Sequence, residues 1–488
     1  MNAPLRRVAV ACLVLFGLLL ANANYVQVVK AKSLREDPRN RRVLLRTYDR
    51  LRGPIVLGTG QSRQAVAVSK ATTDSLKYLR TYPGGAVYAP ITGFDSLLYS
   101  RTGIERTQDP VLSGSDDRLF VRRLSDYVTG RQIAGGSIVL TLQRAAQQAA
   151  YDGLAGKVGA VVALDPRTGA VLAMASRPSY DPTGLSSHDP SKIRSAYKAL
   201  IADPQDPLVN RAVERTYPPG STFKVITSAA ALASGRYTPQ TQIPSPTVLD
   251  LPQTATTLKN FGGEQCGDGK TSTLADALRI SCNTAFGALG IALGQGAVRA
   301  QAKAFGFGDT SLTLPQPVAD SVYPDQLTPP QVAQAAIGQF DVRVTPLQMA
   351  MVAAGVANGG EVMRPYLVQE VQAPDLSRLD LASPEVYSKA VSSPVAAQLT
   401  SMMEGVVASG TGTAAQIPGV RVAGKTGTAQ HGPGAAPHAW FIGFAPADNP
   451  QVAVAVLVED GGNLGSEATG GKVAAPIARA VMQAVLGR

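Results

Sequence analysis

Histidine and cysteine are scarce in this chain, with three of each among 488 residues. No HExxH or CxxC spacing occurs, so no metal is expected, and no cofactor either. The GxSxG turn that presents the nucleophile of many Ser-His-Asp hydrolases is missing as well. The histidines themselves (His188, His431, His438) fall in loops or at a strand start, and His438 reads as a structural neighbour of Trp440 rather than a base. Zinc-finger and RNA-binding signatures, internal repeats and low-complexity tracts are also lacking. The net charge of +11 fits nucleic acid, anionic lipid or an anionic extracellular polymer without choosing among them. With no recognition motif, no nucleic acid is expected as a partner.

A long apolar run is present once. Arg6 and Arg7 precede Val8–Ala21, and the run continues past Asn22, Asn24 and Gln27 to Val29, long enough to cross a bilayer. A cleaved signal peptide competes, because the unbroken part, Val8–Ala21, is short for a span and Ala21-Asn22-Ala23 has the character of a cleavage site. Tyr25-Val26 and Val28-Val29 extend the segment past that site and favour an anchor. Residues 30–52 hold nine Lys and Arg against three acids, and the positive-inside rule alone would reverse the orientation. Long domains translocate largely regardless of charge, and the chemistry below belongs outside the membrane. Cys12 lies in the apolar run, leaving Cys266 and Cys282 as the pair in the exported part. A disulfide and two buried thiols are both open readings there.

Three regions follow from these patterns: a cytoplasmic tip and anchor over 1–33, a membrane-proximal pedestal without chemistry over 34–137, and a catalytic domain over 138–488. The pedestal begins with an arginine-rich stretch (Arg39, Arg41, Arg42, Arg46, Arg50, Arg52) and alternates at Ala65–Val68, which suits short strands and loops. Residues 138–154 carry strong helix formers and predict a helix. Gly159–Leu164 and Ala170–Ala175 flank the turn residues 165–169 and predict a hairpin. Val420–Ala423, Ala439–Phe444 and Val452–Val458 read as strands, Lys472–Leu486 as a helix, and 195–412 as mostly helical with Pro and Gly punctuation. The simplest assembly is α+β, a sandwich in which strands from both ends join one antiparallel sheet against helices.

Chemistry concentrates in three short stretches. Ser221-Thr-Phe-Lys224 follows Pro218-Pro219-Gly220 and opens an apolar run, Val225–Ala233. Ser221 therefore sits at a helix N-terminus, with Lys224 one turn on and on the same face. Lysine serves as a base only if its pKa falls well below about 10.4, which burial and a second cation both promote. Another SxxK, Ser195-Ala-Tyr-Lys198, acts as an internal control: it lies in a polar stretch with no helix-start signal. Ser281-Cys282-Asn283 follows the helical pattern Leu274–Ile280 and can aim a hydroxyl and an amide into a cleft. Lys425-Thr426-Gly427-Thr428 supplies the second cation. Gly419–Thr426 formally matches GxxxxGK[ST], yet its interior alternates like a strand and no helix can start before Pro433, so nucleotide binding is rejected.

With SxxK, SxN and KTG in order, the chain resembles the penicillin-binding proteins. GAVVALDPRTGAVLAMAS at 159–176, YPPGSTFK, IGQ at 337–339, TPLQMA at 345–350, ANGG at 357–360, GKTGTAQ at 424–430 and HAWFIGFAP at 438–446 also look like that family. The likeness covers 138–488, and the Arg52-Gly53 region resembles the family's N-terminal module. It is most like class B, the monofunctional transpeptidases, and within that class the actinobacterial type of septal wall synthesis.

The resemblance implies an antiparallel five-stranded sheet flanked by helices, an all-helical subdomain, and serine acyl transfer at an extracytoplasmic, single-pass membrane protein. Lys224 would take the Ser221 proton as Ser221 attacks the penultimate D-Ala carbonyl of a peptidoglycan stem peptide. Backbone N–H groups of Ser221 and Thr428 would hold the oxyanion, each contributing about 10²–10³ in rate. Ser281 would relay a proton to the departing amine, Asn283 would orient the peptide, and Lys425 and Thr426 would bind the terminal carboxylate beside Gly427. Cys282 would point away from the cleft, toward Cys266. β-Lactams would form long-lived acyl-enzymes, and other wall-synthesis or division proteins are expected as partners. A D,D-carboxypeptidase, a β-lactamase-type hydrolase and a silent β-lactam sensor or scaffold are the rivals.

Overall fold

The structure, a computed structural model, describes residues 3–36, 48, 50–130, 132, 134–432 and 434–488. Arg39, Arg41, Arg42 and Arg46 of the basic stretch lie outside the described residues. At the start of the chain a helix, Ala3–Asn24, runs on through Tyr25–Val29. It is 27 residues long and apolar enough to cross a membrane, and none of its residues is buried among the described residues.

The pedestal is built on a six-stranded mixed sheet. Ile55–Leu57 pairs with Gln64–Ala71 on one side and in parallel with Ser137–Leu140 on the other. Ser137–Leu140 then pairs with Val368–Gln372, far along the chain. Residues 138–140 are thus strand, not the start of the predicted helix, which begins only at Arg144. Their β-branched Ile138 and Val139 find ladder partners on both sides, and tertiary pairing overrides local helix propensity. The same sheet takes strands from both sides of residue 138. The pedestal also contains a helix of nine residues, Phe120–Val128, where loops and strands were expected. Beneath the sheet Glu105 is fully buried and held by Arg52 and Arg80, each at 2.6 Å.

The second sheet is the five-stranded antiparallel one. Its strands are β1 (Gly159–Leu164), β2 (Val171–Arg177), β3 (Ala423–Ala429), β4 (His438–Ala445) and β5 (Val452–Val458), in the order β3-β4-β5-β1-β2. Both faces are covered, so β5 can be apolar throughout without exposing anything. One face packs Val161, Ala163, Phe441, Val454 and Val456 against helices α1 (Arg144–Gly153) and α5 (Gly470–Val485). The opposite face sends Val162, Leu164, Trp440, Ile442 and Leu457 into the main core with the helix Pro346–Ala357, buried from Pro346 to Val356. Strands from the two ends of the catalytic region thus meet in one sheet, and β3 is left as an edge.

Between the sheet strands lie α2 (Lys224–Ala233), α3 (Leu274–Arg279) and α4 (Asn283–Leu293), with other helices. The region 195–412 is less helical than its pattern suggests: eight short strands between Gln242 and Lys389 pair as ribbons or join the pedestal sheet. These pairings are short and half-exposed, which leaves little periodic signal.

Candidate active site

Pro218, Pro219 and Gly220 stop the preceding chain, and a tight 3-10 turn, Gly220–Phe223, feeds directly into α2. Ser221 sits in that turn, half-buried, with Lys224 at the first position of α2 and fully buried. The control pair behaves differently. Ser195 and Lys198 do lie in a helix, Pro190–Ala202, started by an Asp189 cap that the sequence reading missed, but both side chains are exposed.

The Ser221 turn is fastened on several sides. Trp440 Nε1 donates to the Pro218 carbonyl at 3.0 Å, and Tyr217 exchanges backbone bonds with Val344. Gly220 N–H donates to the Gly338 carbonyl at 2.9 Å. Gly220 has φ +53 and Gly338 φ +74, and a Cβ on Gly338 would fall 2.1 Å from the Gly220 oxygen. Only glycine fits that approach. The outer edge of β3 runs past the same turn, since a Cβ on Gly220 would lie 2.9 Å from the Thr428 oxygen.

Three segments converge on Lys224. Its Nζ donates to the Ser281 carbonyl and to Asn283 Oδ1, both at 2.7 Å, and lies 3.4 Å from the Ser281 hydroxyl. Lys425 Nζ donates to the same hydroxyl at 2.8 Å and to the Thr426 carbonyl at 3.0 Å. Lys425 is also fully buried, and Thr426 nearly so, with its hydroxyl 2.6 Å from that of Thr411. Ser221, Ser281, Asn283 and Thr428 are half-buried. The hydroxyls and amide thus border the opening, with the two amines beneath.

Burial holds Lys224 well below the ordinary lysine range, and the neighbouring Lys425 charge lowers it further. Burial brings Lys425 down to about 7. A neutral amine has two N–H donors and one lone pair. At Lys224 the Ser281 carbonyl and Asn283 Oδ1 can take both donors, which leaves the lone pair as the proton acceptor. No hydrogen bond joins Lys224 to the Ser221 hydroxyl among the described residues; such contacts commonly tighten only with substrate bound.

Ser281 adopts φ +65, a left-handed conformation unusual for serine, in the turn between α3 and α4. This reversal separates two helices that would otherwise merge. Asn260 secures the start of α4: its Oδ1 accepts from the backbone N–H of Asn283 at 2.8 Å and Thr284 at 3.1 Å. Asn283 Nδ2 in turn donates to the Lys259 carbonyl at 3.1 Å. Cys282 is buried, turned from the opening, and disulfide-bonded to Cys266. The 259–266 segment therefore braces the Ser281 turn from behind. Sequence reasoning missed Asn260, because a capping residue 23 positions from its helix carries no local signal.

The histidines play no direct part at this opening. His438 packs edge-on against Tyr217 and stacks on His431, and Tyr217 also meets Trp440 edge-on. Its Nδ1 accepts the Asp460 N–H at 3.1 Å, and burial lowers its pKa to about 4. His431 Nε2 lies 2.8 Å from Asp460 Oδ1, and His188 pairs with Asp74 at 2.6 Å.

Comparison with known proteins bears on both parts of the chain. Residues 159–483 match the penicillin binding protein transpeptidase domain, and residues 52–138 match the penicillin binding protein A dimerisation domain. The peptidoglycan D,D-transpeptidase PbpA of Mycolicibacterium smegmatis is 50% identical over 494 residues, covering 100% of this chain and 99% of the relative. That of Mycobacterium tuberculosis is 49% identical over 496 residues with the same coverage. Among solved structures, the ceftriaxone acyl-enzyme of M. tuberculosis penicillin-binding protein A superposes with a TM-score of 0.87 at 47% identity, covering 91% of this chain and 100% of that one. Its penicillin G acyl-enzyme gives 0.85 at 48% identity, with 90% and 100% covered.

Proposed function

The chain belongs to the penicillin-binding protein transpeptidases, class B and closely similar to actinobacterial penicillin-binding protein A, and we propose that it cross-links peptidoglycan through an acyl-enzyme on Ser221. It is a serine-type D,D-transpeptidase of peptidoglycan synthesis, bound by β-lactams, with a single N-terminal apolar helix as anchor and its catalytic domain on the extracytoplasmic side.

In the proposed mechanism the neutral Lys224 amine takes the Ser221 proton as Oγ attacks the penultimate D-Ala carbonyl of the donor stem. The carbonyl oxygen becomes an oxyanion held by the Ser221 and Thr428 N–H groups. Ser281, which accepts from Lys425 and therefore has its own proton to give, passes that proton to the departing D-Ala amine and is re-protonated by Lys224, whose Nζ lies 3.4 Å away, so that Lys224 is neutral again in the acyl-enzyme. Lys425 and Thr426 receive the terminal carboxylate, whose negative charge favours the protonated Lys425, and Gly427 lets the strand approach. Asn283 orients the peptide amide. An amine of a neighbouring stem then attacks the acyl carbonyl and gives its proton to the neutral Lys224, which returns it to Ser221 Oγ as the ester C–O bond breaks. No cofactor or metal is required at any step.

The observation that carries this reading is the single Ser281 hydroxyl within reach of two buried amines, one from the nucleophile's own helix and one from the edge strand. Other wall-synthesis or division proteins as partners are part of the same proposal; the likeness of residues 52–138 to a dimerisation domain supports only that the pedestal associates with protein. The domain division at 33/34 and 137/138 is part of the same proposal. The test is intact mass and peptide mapping after penicillin treatment, together with cross-link formation from paired stem peptides. A stable adduct on Ser221 and a cross-linked product are expected. Sustained penicillin turnover would favour a hydrolase, and an adduct without cross-links would favour a sensor.

A further inference from the structure

We propose that Gln339 is a positioning residue for acyl transfer, setting the distance between the Ser221 turn and the Thr428 end of β3. The inference rests on the site reading above and adds a group that lies outside the three motifs. β3 is an edge strand whose only sheet neighbour among the described residues is β4, and that ladder ends at the pair Ala429 and His438. Gln430 follows beyond the end of the ladder. Here the side-chain amide of Gln339 stands in for a neighbouring strand: oriented by its partners, its nitrogen lies 3.1 Å from the Gln430 carbonyl and its oxygen 3.3 Å from the Gln430 N–H.

The register makes this contact bear on the oxyanion donors. Backbone groups two residues apart in a strand face the same side, so Gln430 and Thr428 present theirs to the same outer edge. The Thr428 oxygen indeed faces Gly220 there. Residue 338, adjacent to Gln339, holds the opposite side of the gap by accepting the Gly220 N–H at 2.9 Å. One dipeptide thus touches both walls, the nucleophile turn through its backbone and the edge strand through its side chain. The chain just before the dipeptide is tied to α2, since Thr227 Oγ1 donates to the Ala336 carbonyl at 2.8 Å. Without the Gln339 amide the end of β3 would lose these bonds on its outer edge, and the Thr428 N–H would no longer stand at a set distance from Ser221.

The experiment compares full-length wild type with Gln339→Met, which keeps the shape and loses both bonds, and Gln339→Glu. Stopped-flow acylation by a fluorescent penicillin separates non-covalent binding from the acylation rate, and a peptide boronic acid reports the tetrahedral adduct. For Gln339→Met the acylation rate should fall roughly tenfold to hundredfold, as displaced reacting groups do, with boronate affinity falling in parallel and non-covalent binding within about twofold. A protonated glutamic acid can both donate and accept, so Gln339→Glu divided by wild type should recover as pH falls toward the carboxyl pKa of about 4.3. Acylation within about twofold of wild type in Gln339→Met overturns the proposal. If Gln339→Met does not fold, a flat pH ratio in Gln339→Glu overturns it instead. Failure of wild type itself to be acylated at Ser221 would strike the site reading, a separate outcome.

Discussion

Lys425 donates to the Ser281 hydroxyl across 144 residues of sequence, at 2.8 Å. A hydroxyl that accepts from an ammonium keeps its own proton for donation, so this one contact sets the direction of the proton relay. It also brings a second amine next to Lys224, and that neighbour helps to hold Lys224 deprotonated.

A pH prediction follows from that neighbour. Acylation at saturating penicillin should fall as pH drops through the depressed Lys224 pKa, because the protonated amine cannot act as a base. Lys425→Met removes a like charge, so the Lys224 pKa should rise and the acidic limb should move to higher pH. The acylation rate measured against pH at saturating drug checks this, with binding losses kept apart. A limb that stays in place would mean that burial alone tunes Lys224.

Asn260→Ala should loosen the start of α4, since two backbone N–H groups lose their acceptor. A lost cap costs about 1 kcal/mol, and acylation should fall as Ser281 and Asn283 shift. Asn260→Asp keeps the acceptor and should restore both properties. Thermal melting and penicillin labelling of the two variants decide the point; equal behaviour of Ala and Asp would remove the capping role.

Gly338→Ala places a methyl 2.1 Å from the Gly220 oxygen at a backbone φ of +74. The left-handed strain alone costs about 1–2 kcal/mol, and the clash must move the Ser221 turn. Acylation should drop by more than the change in melting would suggest. Wild-type acylation in this variant would show that the turn tolerates displacement.

Glu105→Ala removes the buried carboxylate that Arg52 and Arg80 share in the pedestal, leaving Arg52 with Asp109 and Asp95 and Arg80 with backbone carbonyls. Breaking one partner of a buried ion network costs about 3–5 kcal/mol. Calorimetry should show the pedestal transition displaced to lower temperature. A change within about 0.5 kcal/mol, as for an ordinary surface site, would mean that the network is dispensable.

Local patterns were legible where one segment carries its own partner. The hairpin of β1 and β2 surrounds its turn residues, β5 occupies the predicted residues 452–458, and α5 follows its small-residue pattern. Residues 138–140 read as the start of a helix because the ladder partners of their strand, Ile55–Leu57 and Val368–Gln372, lie far before it and far after it. The ribbons between 242 and 389 escaped because their strands are only three to five residues long, too short for a period to show. At the site, Ser221 and Lys224 share one turn, so their pairing follows from spacing alone. Asn260 and Gln339 each act on a backbone remote in sequence, and neither composition nor period marks them.

The order of residues by itself determined that a serine and a lysine stand one helical turn apart, that an apolar segment of bilayer length begins the chain, and that strands from both ends suit one sheet. Only the tertiary structure decided what surrounds the Lys224 amine: the Ser281 carbonyl, the Asn283 amide oxygen, and Lys425 close by. A lysine is a base or a cation according to its solvation and nearby charge. Those are properties of a filled volume, and segments remote from one another in the sequence must fold together before that volume exists.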